Sequence, residues 1–254
     1  MLDSAHPLMR RRHAQSRIEM KQTEPKRLYQ SVAAQILALI RQENLHPGTR
    51  LPPERELAQT LGVSRPSLRE ALIALEIGGQ VEIRMGSGVY VQDASAQSES
   101  TAIPSLGESP SELMQARAIV EGDVIALATA RLTAATLDKL QRSIDRMRKL
   151  ASAGKSPTDA DRQFHMLIAE TAANSVLSRF VAELFDSRHD PIAAAIRDHA
   201  ESAASWHAAV HEHEEILKAL QSGDPIAAQT AMRAHLRASE ERWIAGAIQQ
   251  DNAP

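Results

Sequence analysis

The stretch from Pro47-Gly48 to Gly78-Gly79 leaves the first third of this chain few ways to fold. Upstream of it, Leu28, Val32, Ile36, Leu39 and Ile40 recur at helical spacing, and the stripe ends near Asn44 ahead of Pro47-Gly48. Glu54 to Leu61 reads as a short second helix closed by Gly62. Ser64 is placed to cap a third helix running to about Ile77, where Gly78-Gly79 stops it. Leu68, Ala71, Leu72 and Leu75 give that helix an apolar back. Its start carries Ser64, Arg65, Ser67 and Arg69, with Arg55 in the preceding helix. Two short helices joined by a tight turn, the second opening on arginines and hydroxyls, suit a helix end lodged in the major groove of DNA.

Val81-Glu82-Ile83-Arg84 and Val89-Tyr90-Val91 flank Met85-Gly86-Ser87-Gly88, which reads as a hairpin attached to this helix-turn-helix, a wing. Gly86 and Gly88 permit close backbone approach to a minor groove. Residues 1–24 lack periodicity and are expected to be disordered, so the winged head spans 25–93. Residues 94–110, rich in Ser and Ala with two prolines, read as a linker. From 111 to 248 the chain is Ala-rich with apolar residues three and four apart. Breaks at Gly154, Pro157, Asn174, Pro191 and Gly223 divide it into six or seven helices, one of them over about 189–199, and a short tail follows at 249–254. The fold class expected is mainly α: a winged helix-turn-helix followed by an all-α bundle.

Charge agrees with that division. Residues 1–93 carry 13 Lys/Arg against 10 Asp/Glu, and the remainder 16 against 22, so a basic head precedes an acidic body. Cysteine is absent, which excludes thiolate metal sites and fits a reducing cytoplasm. No apolar run approaches the ~18 residues of a spanning helix, and no membrane role is expected.

In the body, Asp161 and His165 stand at i and i+4, one above the other on a helix, so both reach one ion. His213 shares a face with Val210 and Leu217, and His235 with Met232, so both point inward. Three imidazoles and a carboxylate suit Zn²⁺, Ni²⁺ or a similar borderline ion and leave positions open for a ligand. An inward histidine taken singly is more often a satisfied core residue. His207 and His211, also at i and i+4, fall on a polar face and read as solvated. Arg117 lies between Leu113, Val120 and Val124 on a stripe that should be buried, where a guanidinium needs an anion. Glu121, one turn on, is one such partner.

Pro52-Pro53-Glu54-Arg55-Glu56-Leu57-Ala58 and Ser64-Arg65-Pro66-Ser67-Leu68-Arg69-Glu70-Ala71-Leu72 resemble the DNA-binding domain of the GntR family. The resemblance implies DNA contacts from Arg55, Ser64, Arg65, Ser67, Arg69 and Gly86. The chain departs from the family pattern at Pro66, where relatives carry a hydrogen-bonding side chain, and at Pro53, where a serine cap is more common. The body resembles the helical FCD-type effector domain of the FadR-like branch. There Asp161, His165, His213 and His235 match the ligand pattern for a divalent metal, Zn²⁺ first, and Arg117 the arginine that reaches an organic acid. Arg27-Leu28-Tyr29-Gln30, Gly86-Ser87-Gly88-Val89-Tyr90-Val91 and Phe164-His165-Met166-Leu167 are similar to hexuronate-utilisation repressors. The function implied is a homodimeric repressor that binds a pseudo-palindromic operator and responds to a sugar acid. A metal-dependent hydrolase or lyase carrying a DNA-binding head is the alternative, because a metal with open positions can activate water.

Overall fold

The computed structural model describes residues 27–84, 86–93 and 106–247; the expected disorder of 1–24 and the tail at 249–254 lie outside them. In the head, α1 (Leu28–Gln42), α2 (Glu54–Leu61) and α3 (Arg65–Ile77) precede β1 (Val81–Arg84) and β2 (Gly88–Val91). Gly62 ends α2 in the left-handed region at φ +65°, which costs glycine nothing. Ser64 caps α3 by accepting the Ser67 amide at 3.2 Å, and Pro66 falls in the first turn, where no intrahelical N–H is required. Leu68, Ala71, Leu72 and Leu75 are fully buried, so the apolar back of α3 packs as its pattern demands.

The strands pair antiparallel with Val81 opposite Val91 and Arg84 opposite Gly88. Gly88 is needed there for its backbone conformation. Its φ is +128°, and a Cβ would lie 2.5 Å from Nε of Arg50, which crosses the hairpin beside it.

The body contributes seven α-helices: α4 (Pro110–Thr129), α5 (Ala134–Ser152), α6 (Thr158–Thr171), α7 (Ser175–Asp186), α8 (Pro191–Ala200), α9 (Ala203–Gln221) and α10 (Pro225–Ala247). Ser109, Thr133, Asn174 and Ser202 cap α4, α5, α7 and α9 through side-chain oxygens. α10 lies along α4 and also packs on α8 and α9, while α6 and α7 close on α4 and α5 bridges α6 to α9. One helix differs from expectation. Residues Ser187–His189 form a 3-10 turn rather than a helix start, and Pro191 is the first residue of α8, the position where its missing N–H is not needed.

Residues 106–109, expected as the end of a linker, are packed instead. Leu106 is buried, its amide donates to the Tyr29 hydroxyl at 3.0 Å, and its carbonyl accepts the Ile192 amide at 3.1 Å. Ser109 and Ser111 donate to Glu70 of α3 at 2.7 and 2.8 Å. A local composition of small polar residues does not show that Tyr29 and Glu70, 77 and 39 residues away, supply partners. Residues 94–105 lie outside the described part.

Candidate metal and effector centre

Asp161 and His165 are one turn apart on α6, His213 comes from α9 and His235 from α10. One donor atom from each of the four lies within 4.8 Å of the others, and all three imidazoles are buried. The rings of His213 and His235 are 4.4 Å apart, and His165 is 5.4 Å from each. Phe164 sets one wall, its ring edge-on to His213 at 4.7 Å. His207 and His211, on the same helix as His213, are exposed.

Each imidazole is oriented through Nδ1. His165 donates to Glu121, His213 to the Ala209 carbonyl at 2.7 Å, and His235 to Glu212 at 2.8 Å. Carboxylate and carbonyl oxygens only accept, so Nδ1 carries the proton in each ring and Nε2 presents a lone pair. Nε2 of His165 and of His213 are buried with no hydrogen-bond partner. Yet His213 Nε2 stands 3.0 Å from Asp161 Oδ1, and His165 Nε2 stands 3.5 Å from the same oxygen. Lone pairs converging on a carboxylate repel unless a proton or cation sits among them. The four residues therefore fit a divalent metal, with the outer hydrogen bonds that metal-bound histidines require.

The electrostatics follow the same division. Burial pushes His235 down to about 3, reinforced by His213, so it is a neutral ring. Burial also lowers His165, but Glu121 and Asp161 outweigh it and raise the group above its ordinary value. For Glu121 and Glu212 burial acts upward and is overcome by their cationic and hydrogen-bonding neighbours, which hold both at about 2.

Beside this cluster is a cavity of about 60 Å³ lined by Asp161, His235, Arg117, Arg188, Trp206 and Trp243 among others. A water needs roughly 10–15 Å³ on this measure, so there is room for a compact organic acid. Arg117 is 2 % exposed; its Nε donates to Glu121 at 2.6 Å, while Nη2 has no partner. Both anions expected for Arg117 thus have a place, Glu121 on one edge and open donors on another. Arg188, from the 3-10 turn, donates to Asp161 at 2.8 Å, and its Nε is buried and unpartnered. Burial, together with Arg117, depresses the Arg188 guanidinium.

Arg188, Glu212 and Arg242 were not singled out from sequence. Arg188 sits in a charged Asp-Ser-Arg-His-Asp turn that gives no periodic signal. Glu212, adjacent to His213, reaches His235 and Arg242 only through the packing of α9 on α10.

In the head, Arg55, Ser64, Arg65 and Gly86 are exposed. Ser67 and Arg69, expected to contact DNA as well, are buried in the single chain, at 9 % and 6 % exposure. The Ser67 hydroxyl lies 2.8 Å from that of Ser64 within the cap, and Arg69 Nε donates to Glu54 at 2.9 Å. The cause is Glu54, a buried carboxylate at the start of α2 that draws Arg65 and Arg69 together.

A winged helix-turn-helix joined to a helical body with a His/Asp cluster and an inner cavity defines a DNA-binding regulator as a class. Residues 28–91 match the bacterial regulatory proteins, gntR family, and residues 112–238 match the FCD domain. The chain is 37 % identical to the "Uxu operon transcriptional regulator" of Escherichia coli K12 over 87 % of its own length and 89 % of that protein. It is 35 % identical to the "Exu regulon transcriptional regulator" of the same organism, covering 85 % and 84 %. A solved structure described as Streptococcus agalactiae GntR is 25 % identical, with a TM-score of 0.45 over 84 % of this chain and 99 % of that one. The chain belongs to the gntR family and carries an FCD domain: it is a DNA-binding transcriptional regulator, not an enzyme. Among the described residues no helix is long and apolar enough to cross a membrane.

Proposed function

We propose that this regulator is a repressor of sugar-acid catabolism, controlled by a hexuronate-type carboxylate bound beside a divalent metal. The observation that carries this reading is the pairing of three Nδ1-tethered imidazoles with a cavity into which Arg117 presents unpaired donors. Asp161, His165, His213 and His235 would hold the ion, Zn²⁺ first by the preference of three nitrogens and one oxygen. When bound, the metal supplies a Lewis-acid anchor for carboxylate or hydroxyl oxygens. Arg117 forks the carboxylate through the edge that Glu121 leaves open. Similarity to the Uxu and Exu regulators supports the sugar-acid class.

DNA is read by α3 and the wing, with Arg55, Ser64, Arg65 and Gly86 at the surface and two heads on a pseudo-palindrome through a homodimer. A route joins the two ends. Glu70 of α3 accepts from Ser109 and Ser111 at the first turn of α4, and Arg117 lies about 9 Å further along the same helix. An acid drawing on Arg117 therefore acts on the helix whose start is tied to α3, and regulation is the difference in its affinity for the two head arrangements.

The test is operator binding by full-length protein with and without D-glucuronate or D-galacturonate, repeated after chelation. Release of DNA by one acid, abolished by the chelator, is the expected result. An acid that leaves DNA affinity unchanged removes it as the effector.

A further inference from the structure

Two guanidinium groups meet in the inner cavity, and their geometry goes beyond a single arginine reading the acid. Arg117 and Arg188 each lie 4.7 Å from the centre of the Phe185 ring, so both guanidinium groups pack against one aromatic side chain. Both are more than nine-tenths buried and both line the cavity. Each has one edge engaged by a carboxylate, Arg117 through Nε on Glu121 and Arg188 through Nη1 on Asp161. Each also keeps a buried donor with no partner, Nη2 on Arg117 and Nε on Arg188.

Placing two like charges together out of water, with donors unmade, is strongly unfavourable unless an anion joins them. Formal charge points the same way. Two carboxylates, Asp161 and Glu121, balance two guanidinium groups, Arg117 and Arg188, so a divalent ion held beside them leaves the centre positive. A carboxylate offers four lone-pair sites on two oxygens, enough to accept from both guanidinium groups at once.

We infer that Arg188 is a second effector-binding residue, and that it and Arg117 clasp one carboxylate of a hydroxy acid between them. This rests on the carboxylate reading of the cavity given above. Arg188 then decides charge specificity: the site selects an acid over the neutral amide of the same shape. It also ties that choice to the metal side, because the same guanidinium holds Asp161.

The experiment is isothermal titration of the full-length, Zn²⁺-loaded protein with D-glucuronate, D-galacturonate, D-gluconate and L-lactate, each beside its amide. Arg188→Gln, Arg188→Lys and Arg117→Gln are compared, with zinc content and melting temperature measured on each. Arg188→Lys keeps a positive charge for Asp161 but not the planar fork, so it serves where the glutamine variant fails to fold. The expected result is a preference for acid over amide in the parent protein that falls roughly 10- to 100-fold in either Arg188 variant. Affinity for the amide should change little. If acid and amide weaken in parallel in the Arg188 variants while Arg117→Gln alone abolishes the preference, Arg188 only positions Asp161 and the inference is wrong, with the carboxylate site intact. If the parent binds none of the acids, the carboxylate reading itself falls and takes this inference with it.

Discussion

Glu70 and Ser109 are joined by a 2.7 Å hydrogen bond that fastens the helix expected to read DNA to the first residue before the effector-side helix. Both side chains are buried, so the bond is not exchanged freely with water. Replacing Ser109 by Ala removes the cap of α4 and one donor to Glu70, and should cost about 1–3 kcal/mol. The informative outcome is functional: acid binding persists, while its effect on operator affinity shrinks. Unaltered coupling in that variant would show that the signal travels elsewhere.

Glu240 of α10 faces the same joint, lining with Glu70 and Arg69 a small cleft beneath α3. Burial raises Glu240, and the Glu70 charge adds to it; burial also raises Glu70, against the donors Ser111 and Ser109. A carboxyl whose folded pKa lies above its unfolded value holds more protons when folded. Its contribution to stability is therefore full below about 4.5 and is lost as pH rises through the raised value. Glu240→Gln should raise the melting temperature at neutral pH and flatten its dependence in that window. The gain is no more than about 1 kcal/mol, because Glu240 is only half-buried. Thermal melts in a pH series check both.

Glu212 positions His235 at 2.8 Å and is itself clasped by Arg242. Glu212→Gln should weaken metal binding about 10- to 100-fold without unfolding the body. Glu214, two residues on, pairs with Arg148 at the surface and is the matched control, expected to leave metal affinity unchanged. Competition against a chromogenic chelator reads both.

Arg65 and Arg69 separate two roles on one helix. Arg65 has 54 % of its side chain exposed, so Arg65→Ala should cost operator affinity about 1–3 kcal/mol and leave the fold intact. Arg69 has 7 %, and its loss strips Glu54 of a buried partner; Arg69→Ala should destabilise the head by roughly 3 kcal/mol. Equal effects of the two on DNA binding, with equal melts, would contradict the assignment.

What could be read from sequence was local. Ser64 and Gly62 bound their helices because capping chemistry operates within three residues. Asp161 and His165 were legible as a pair because one helical turn fixes their relation, and His213 and His235 because their neighbours Val210, Leu217 and Met232 are buried. Glu121 was read as a partner for Arg117, four residues away. Its second bond, to His165 across 44 residues, depends on how α4 meets α6. Arg188 reaches Asp161 across 27 residues, and Arg69 reaches Glu54 across the turn between α2 and α3. Spacing says nothing of such meetings; they arise from tertiary packing, and they give an arginine read as a DNA contact an internal partner as well.

The chain has two tryptophans, and both Trp206 and Trp243 line the inner cavity. Trp243 also borders the cleft beneath α3, and Arg188 stands 5.3 Å from its ring. All of the protein's indole emission therefore originates around one chamber, with no distant indole to dilute it. Occupancy of that chamber and movement of the head against it can be followed optically in unlabelled protein, in real time and at native composition.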